Sequence, residues 1–142
     1  MGTKSREVIY GSRLRGLVMD AASAREEAIA AVRRGDRAEA EAWSLRMEGF
    51  GGPAQPSPTL GQCLNGGLAW LEVECMRCKT RAGLSLVYIR RPRDTPTWKL
   101  EASLRCRACA TPRRRAPARI IKLTAEREIP QRPWDGADPD EV

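Results

Sequence analysis

The residues of this chain best suited to chemistry are its cysteines. Four of them form two C-x-x-C pairs, Cys75 with Cys78 and Cys106 with Cys109, with twenty-seven residues between the pairs. Two intervening residues let a tight turn direct both sulfurs at one point, and two such turns complete a tetrahedron around a metal ion with Zn–S distances of ~2.3 Å. The spacing therefore predicts a Zn²⁺ site with four thiolate ligands. Such a closed site is structural, because it leaves no position for a catalytic water.

Several alternatives to zinc can be weighed from the residues. The chain contains no histidine, which excludes mixed Cys/His metal sites and catalysis by Ser–His or Cys–His pairs. A thioredoxin-like redox site would use one C-x-x-C pair and leave the other unexplained. Iron also suits four thiolates, so the choice between zinc and iron stays open at this point. The fifth cysteine, Cys63, is expected to be a small buried apolar residue rather than a ligand.

The remaining sequence predicts a binding protein and not an enzyme. It has no pair of carboxylates in a recognisable motif, no phosphate-binding loop and no activated nucleophile. The N-terminus lacks the apolar stretch of a signal peptide, and no apolar run approaches the length of a membrane span. We therefore expect a cytoplasmic protein with no membrane partner. In a reducing cytoplasm, paired cysteines are metal ligands more often than disulfides.

Positive charge is concentrated in the segment that contains the cysteines. Residues 76–122 hold fourteen Lys and Arg residues against two acidic ones, a net charge of +12, whereas residues 1–75 carry −1 and residues 123–142 carry −4. Cations on a rigid zinc module attract polyanions, and arginine binds phosphate with two parallel hydrogen bonds. The predicted partner is therefore a nucleic acid, DNA or RNA. The candidate contact residues are Arg77, Lys79, Arg81, Arg90, Arg91, Arg93, Lys99, Arg105, Arg107, Arg113, Arg114 and Arg115.

Two aromatic residues lie among these cations. Tyr88 and Trp98 would stack on unpaired bases if they were exposed, or fill the small core if they were buried. For Trp98 the core is favoured, because a chain with only 5% aromatic residues needs its rings inside. The basic segment also fits a second function, a protein–protein adaptor whose basic face docks an acidic protein. The two functions differ in their response to salt and in competition by DNA.

The N-terminal part of the chain carries two consecutive helix signatures. Ser23 with Glu26 forms a capping box, and Asp36 with Glu39 repeats the pattern after Gly35. We therefore predict a helical hairpin, with helices over roughly 20–34 and 37–48. Its simplest role is to pack against the zinc module. The alternative is that residues 20–48 dimerise or dock a protein partner, with Trp43 as an anchor.

The elements that position the cysteines follow a linker rich in glycine and proline. Ser57 and Pro58 predict the start of a short helix ending near Leu64, and residues 68–74 alternate as a strand that leads into Cys75. A strand or turn and a helix over 95–105 would fill the gap between the cysteine pairs, and residues 119–123 form a closing strand. The predicted fold is α+β, with a helical hairpin module over 1–50, a linker over 51–58, a basic four-cysteine module over 59–129 and a disordered acidic tail over 130–142.

The order strand, C-x-x-C, helix, C-x-x-C, strand resembles the zinc-ribbon superfamily, in particular small four-cysteine proteins of alphaproteobacteria. The resemblance covers residues 68–123 and depends on the two cysteine pairs and on the helix start at Asp94, Thr95 and Pro96. It implies a bacterial zinc-ribbon-like fold and a metal held by the four cysteines, and it implies no particular function. Zinc knuckles often have glycine after the second cysteine, where this chain has Lys79 and Ala110.

Overall fold

The computed structural model describes residues 2–50, 55–106, 108–109 and 117–128. Within the first range, side chains are described for residues 11–49. It contains two α-helices, three strands and two 3₁₀ helices. In chain order these are α1 (Gly2–Phe50), α2 (Leu60–Asn65), β1 (Trp70–Cys75), β2 (Arg81–Ser85), a first 3₁₀ helix (Leu86–Tyr88), a second 3₁₀ helix (Thr97–Ser103) and β3 (Ala118–Thr124). The α+β class predicted from the sequence is confirmed.

The three strands form one antiparallel sheet in the order β2–β1–β3. β1 is central because it pairs with β2 through a short connection and with β3 over its whole length, so that Cys75 lies opposite Ala118. Successive residues of a strand point to opposite faces. One face of β1 therefore presents Leu71, Val73 and Cys75, all fully buried, and the other presents two buried glutamates.

The outer edge of β3 is covered by side chains. Its register shifts opposite Glu72 and Val73, and the amide of Ile120 near this irregularity donates to the carboxylate of Glu101 over 3.1 Å. Further along the strand, the amide of Leu123 donates to the hydroxyl of Ser44 over 2.9 Å. Unpaired edge amides are templates for unwanted strand pairing, so these two contacts protect the sheet.

The N-terminal helical hairpin predicted from the sequence is wrong, because α1 runs without interruption from Gly2 to Phe50. An isolated glycine in a helix costs only ~1 kcal/mol relative to alanine, and Gly35 is accommodated in this way. Asp36, expected to cap a second helix, instead accepts a hydrogen bond of 2.8 Å from Asn65 of α2. The chain divides into two compact units, Met1–Arg34 and Gly35–Val142.

Within the second unit, the C-terminal part of α1 packs in the same core as the sheet. Ala40, Trp43 and Met47 are buried there together with residues of α2, β1 and β3. The predicted packing role of this region is thus confirmed for residues 40–47. Trp43 has only 3% of its surface exposed, so it is not the partner-binding anchor that the sequence suggested.

The N-cap of the helix after the linker lies two residues later in the chain than the sequence predicts. Thr59, and not Ser57, is the N-cap of α2, and its side chain and that of Gln62 form a reciprocal capping box. The hydroxyl of Ser57 instead accepts a hydrogen bond of 3.0 Å from the amide of Trp98. A tertiary contact has replaced the local cap.

The helix predicted over 95–105 is a shorter 3₁₀ helix, Thr97–Ser103, without a side-chain cap. The amide of Thr97 donates to Pro58 O over 3.0 Å, and the carbonyl of Thr95 accepts from Leu60 N over 3.0 Å. These bonds hold residues 95–97 beside the start of α2, and Pro96, not Thr95 or Asp94, occupies the N-cap position. The predicted strands at 68–74 and 119–123 are confirmed with small shifts of their ends as β1 and β3.

The predicted tail over 130–142 lies outside the described residues, as do residues 51–54 of the linker. The module boundary at 51–58 stays a prediction.

Replacing Gly66 by alanine and replacing Gly35 by alanine should change the free energy of unfolding in opposite directions. A Cβ on Gly66 would lie 2.7 Å from the backbone N and Cα of Arg37, whereas a Cβ on Gly35 meets nothing within 4 Å. Gly66→Ala should lower the free energy of unfolding by about 1–3 kcal/mol, because backbone must move. Gly35→Ala should raise it by up to ~1 kcal/mol. Urea unfolding measures both, and destabilisation by Gly35→Ala would show that α1 is interrupted there.

Candidate metal centre

The four paired cysteines converge at one end of the sheet. The sulfurs of Cys75, Cys78, Cys106 and Cys109 all lie within 4.8 Å of one another, and Cys78 Sγ is 3.8 Å from Cys106 Sγ. A tetrahedron with metal–sulfur distances of ~2.3 Å places its sulfurs ~3.8 Å apart. Disulfide sulfurs would be ~2.05 Å apart, and all four cysteines are free thiols. The donor set and its spacing therefore fit a metal ion.

The first pair is built into the loop of a β-hairpin. Cys75 ends β1, and the chain turns through residues 76–80 before β2 begins at Arg81. The amides of Arg77 and Cys78 donate hydrogen bonds to Cys75 Sγ over 3.4 and 3.5 Å and so fix the position of this sulfur. The Lys79 amide donates to Cys75 O over 3.1 Å and closes the turn.

The residue after the second cysteine of this turn has a left-handed backbone. Lys79 has a φ of 62°, the conformation for which zinc knuckles commonly use glycine. The turn geometry is therefore preserved although the glycine is not. The lysine accepts some backbone strain and adds a cation beside the thiolates.

The second pair is brought to the first by the pairing of β1 with β3. Cys106 follows the second 3₁₀ helix, and the neighbouring Arg105 forms a β-bridge with Pro117, just before β3. The amide of Met76 in the first turn donates to Pro117 O over 3.0 Å. Cys109 N donates to Cys106 O over 3.2 Å, which closes the second turn. Both turns are thus held at the same end of the sheet.

The ionisation of the thiols shows why this arrangement calls for a cation. Hydrogen bonds with the hydroxyl and the amide of Thr80 lower the pKa of Cys78 to about 6. The hydrogen bond between Cys109 and Cys78 raises the pKa of Cys109 to about 12, and burial raises the pKa of Cys106. The thiol of Cys78 therefore ionises more readily than those of Cys106 and Cys109. A bound dication would replace these protons, so metal affinity should fall as the pH falls.

Six of the cations predicted to contact nucleic acid fall into two groups along the fold, while Lys99 lies in the second 3₁₀ helix and Arg105 directly precedes Cys106. Arg77, Lys79 and Arg81 lie in the loop between β1 and β2 or at the start of β2, at the cysteine end of the sheet. Residues 90–93 come after the other end of β2 and the first 3₁₀ helix. All eight candidates in the described part of the chain are exposed. Arg107, Arg113, Arg114 and Arg115 lie outside the described residues.

Several of these cations already have partners within the protein. Arg81 Nε donates to the carboxylate of Glu74 over 2.9 Å. Arg93 donates to the carbonyls of Leu86 and Val87 over 3.2 and 3.3 Å, and so caps the first 3₁₀ helix. Arg91 donates to Ser103 Oγ over 3.3 Å, and Lys99 Nζ lies 5.8 Å from the centre of the Trp98 ring. Part of the excess positive charge therefore serves contacts within the fold.

Three candidates at the cysteine end are different. The side chains of Arg77, Lys79 and Arg105 are exposed and have no hydrogen-bond or ion-pair partner among the described residues. We call them the cysteine-turn cations. Of the two aromatic candidates, Tyr88 is 69% exposed, whereas Trp98 is half-buried.

The sequence analysis overlooked an ion-pair network next to Cys75. Glu74 is buried and accepts hydrogen bonds from Arg81 on β2 and from Arg119 on β3, the latter over 3.1 Å. Burial acts to raise the pKa of Glu74, but the two arginines outweigh it and hold that pKa below its usual value. The period-two spacing of Glu72 and Glu74 was the available signal, because it places both carboxylates on one face of β1.

No known protein family, curated protein or solved structure matches this chain. Within the part of the chain that the structure describes, no helix combines the length and apolar character needed to cross a bilayer. Function is therefore inferred from the candidate metal centre and its surroundings.

The site predicts a bound metal that depends on the paired cysteines only. Cys78→Ser and Cys106→Ser should each remove the metal and unfold the sheet, since metal binding worth about 10–16 kcal/mol is folding energy in small four-ligand sites. Cys63→Ser is the matched control and should keep one metal per chain. Elemental analysis and circular dichroism of the three variants test this. Equal metal loss in Cys63→Ser would contradict it.

Cys63 gives a separate prediction on pH dependence. Its side chain is fully buried, 3.5 Å from Thr97 Oγ1, and burial raises its pKa from 9.0 to about 11. The unfolded chain ionises this thiol first, so its contribution is present below pH 9 and is lost as the pH rises towards 11. The loss should reach about 2–3 kcal/mol, because each pKa unit is worth ~1.4 kcal/mol.

The test compares unfolding curves of the parent chain and Cys63→Ala between pH 8 and 11 (roughly the range over which the thiol ionises). The variant is less stable at every pH because a cavity is created. Its stability should nevertheless fall less steeply above pH 9 than that of the parent. Parallel curves would show that Cys63 is not protected from ionisation.

Proposed function

We propose that this protein is a zinc-stabilised nucleic-acid-binding protein, with an accessory or regulatory role and no catalytic one. The observation that carries the proposal is the placement of the three cysteine-turn cations, Arg77, Lys79 and Arg105, beside a four-thiolate site. They are exposed and are not used by the protein's own ion pairs among the described residues. The zinc-ribbon-like resemblance of residues 68–123 agrees with this role for the metal.

Zinc is the proposed metal because the ligand set is four thiolates at tetrahedral spacing. Zn²⁺ has no redox chemistry and no geometric preference from d electrons, so its role here would be to hold the two turns together. Cys75, Cys78, Cys106 and Cys109 would be its ligands. Elemental analysis of protein purified without added metal distinguishes zinc from iron, and iron at one atom per chain would overturn this part of the proposal.

The metal centre also offers a competing explanation for the neighbouring cations. Four thiolates and one Zn²⁺ carry a net charge of −2, and nearby cations offset it. Offsetting that charge would occupy two unit charges, and the carboxylates of Glu72, Glu74 and Glu128 offset three more, whereas residues 76–122 carry +12. A surplus of this size calls for an external polyanion, and phosphate contacts of this kind depend on counterion release.

The test is the salt dependence of binding by the full zinc-loaded chain to a DNA duplex, a single strand and an RNA. If each cysteine-turn cation contacts one phosphate, the triple variant Arg77→Ala, Lys79→Ala and Arg105→Ala should flatten the slope of log K against log salt on duplex DNA by about 2.7. The matched control removes three exposed arginines of α1 instead, with Arg13, Arg15 and Arg33 replaced by alanine. It should leave the slope unchanged.

Two outcomes would overturn the proposal. One is a lack of binding to all three nucleic acids at physiological salt, and the other is an equal effect of the two triple variants. Either outcome favours an adaptor that docks an acidic protein. The variants must keep their zinc and their circular dichroism spectrum, so that loss of binding is not loss of the fold.

A further inference from the structure

The first unit of the chain leaves several large apolar side chains of α1 exposed. Over residues 11–34, α1 carries six large apolar side chains, each with more than half of its surface accessible. They are Leu14, Leu17, Val18, Met19, Ile29 and Val32. Most of the stability of a helix in a protein comes from packing of its apolar face and not from intrinsic helix propensity. The exposed apolar side chains of this part of α1 therefore favour packing against a partner surface.

The apolar residues follow a heptad register. Positions a hold Leu14, Ala21 and Ala28, and positions d hold Leu17, Ala24 and Ala31. All six are exposed. In the sequence the register continues through Gly35, Ala38, Ala42 and Leu45 without one polar residue. Such a repeat is the signature of a coiled-coil seam.

In the second unit the same seam faces away from the core. There α1 buries Ala40, Trp43 and Met47, whereas Ala38 and Leu45 are exposed. At about 100° per residue, the exposed positions lie roughly opposite the buried ones around the helix. In the second unit, the a and d positions therefore do not belong to the face of α1 that packs in the core. This part of the helix has two separate apolar faces.

We propose that the seam is occupied by a second copy of this chain, in a parallel, in-register coiled coil. Charge complementarity at the flanking positions decides between arrangements. In a parallel pair, position g of one helix meets position e of the next heptad of the other. This pairing sets Asp20 against Arg25 of the second copy and Arg34 against Glu39 of the second copy. Arg13 and Glu27 then meet valines, so no like charges oppose each other.

The antiparallel arrangements are less favourable. Each register that matches a positions with d positions brings at least one like-charge pair together, such as Arg13 with Arg34 or Glu27 with Glu27. Moreover, neither Asp20 nor Arg25 has an oppositely charged residue three or four positions away in its own helix. Their charges are therefore available to a second helix. The dimer is independent of nucleic-acid binding and of the cysteine-turn cations.

Sedimentation equilibrium of the full zinc-loaded chain tests the association. The chain should be a dimer in equilibrium with its monomer, and Leu14→Asp with Leu17→Asp should raise the dimer dissociation constant by more than ~100-fold, because four carboxylates would enter an apolar seam. The control replaces Met19 and Ile29, equally exposed but outside the a and d positions, by serine. It should change the constant by less than about threefold. A parent chain that is monomeric at every concentration would overturn the proposal, as would equal effects of the two double variants.

Charge reversal tests the register. Asp20→Arg alone and Arg25→Asp alone should each weaken the dimer about three- to tenfold, and the two together should restore it to within about twofold. If the combined variant is weaker than both single ones, the two residues do not face each other.

Cysteine cross-linking tests the orientation. In a parallel pair, equivalent residues face each other, so Ala21→Cys should form a disulfide-linked dimer under mild oxidation while Met19→Cys, outside the seam, should not. An antiparallel pair would instead link Ala21→Cys to Ala24→Cys only when the two variants are mixed. The parent chain gives the background from its own cysteines. Linkage confined to the mixture would overturn the parallel arrangement.

Discussion

Four sulfurs must converge on one point, and the rest of the second unit is arranged around that requirement. Cys75 and Cys78 lie in a hairpin loop, while Cys106 and Cys109 come from the segment that precedes β3. Thiolates within 4.8 Å of one another repel unless a cation lies between them. The core beside them is small and mainly aliphatic, and cores of that kind depend on a metal for much of their stability. A metal ion bound by the four cysteines would therefore contribute directly to the stability of the fold.

The position of Cys75 depends on how the end of β1 is held in the sheet. The two arginines that pair with Glu74 come from β2 and β3, so the three strands are linked by charge one residue before the first ligand. The same arrangement withdraws Arg81 from the set of cations that a nucleic acid would contact. At the cysteine end, Arg77, Lys79 and Arg105 are exposed and have no such partner among the described residues. In the proposed function these are the cations that would contact a phosphate backbone.

The sequence was most informative where chemistry and pattern agreed. The cysteine spacing identified the metal centre, and the alternation around Val73 and Ile120 located β1 and β3. It was least informative where a local signal met a tertiary contact. Gly35 resembled a helix stop, but the residues after it contact α2 and keep the helix continuous. The sequence predicts only a strand or turn after the first cysteine pair, and pairing with β1 makes residues 81–85 a strand. Long-range pairing of this kind is not encoded in any short window of sequence.

The central claim is that all four paired cysteines hold one zinc ion, and X-ray absorption at the zinc edge tests it most directly. The fine structure of the purified protein should fit four sulfur neighbours at ~2.3 Å and no lighter atom in the first shell. This result requires Cys78, the most exposed of the four, to be a ligand in solution. A shell containing nitrogen or oxygen would contradict the account, since a water or another residue would then occupy a place assigned to a thiolate.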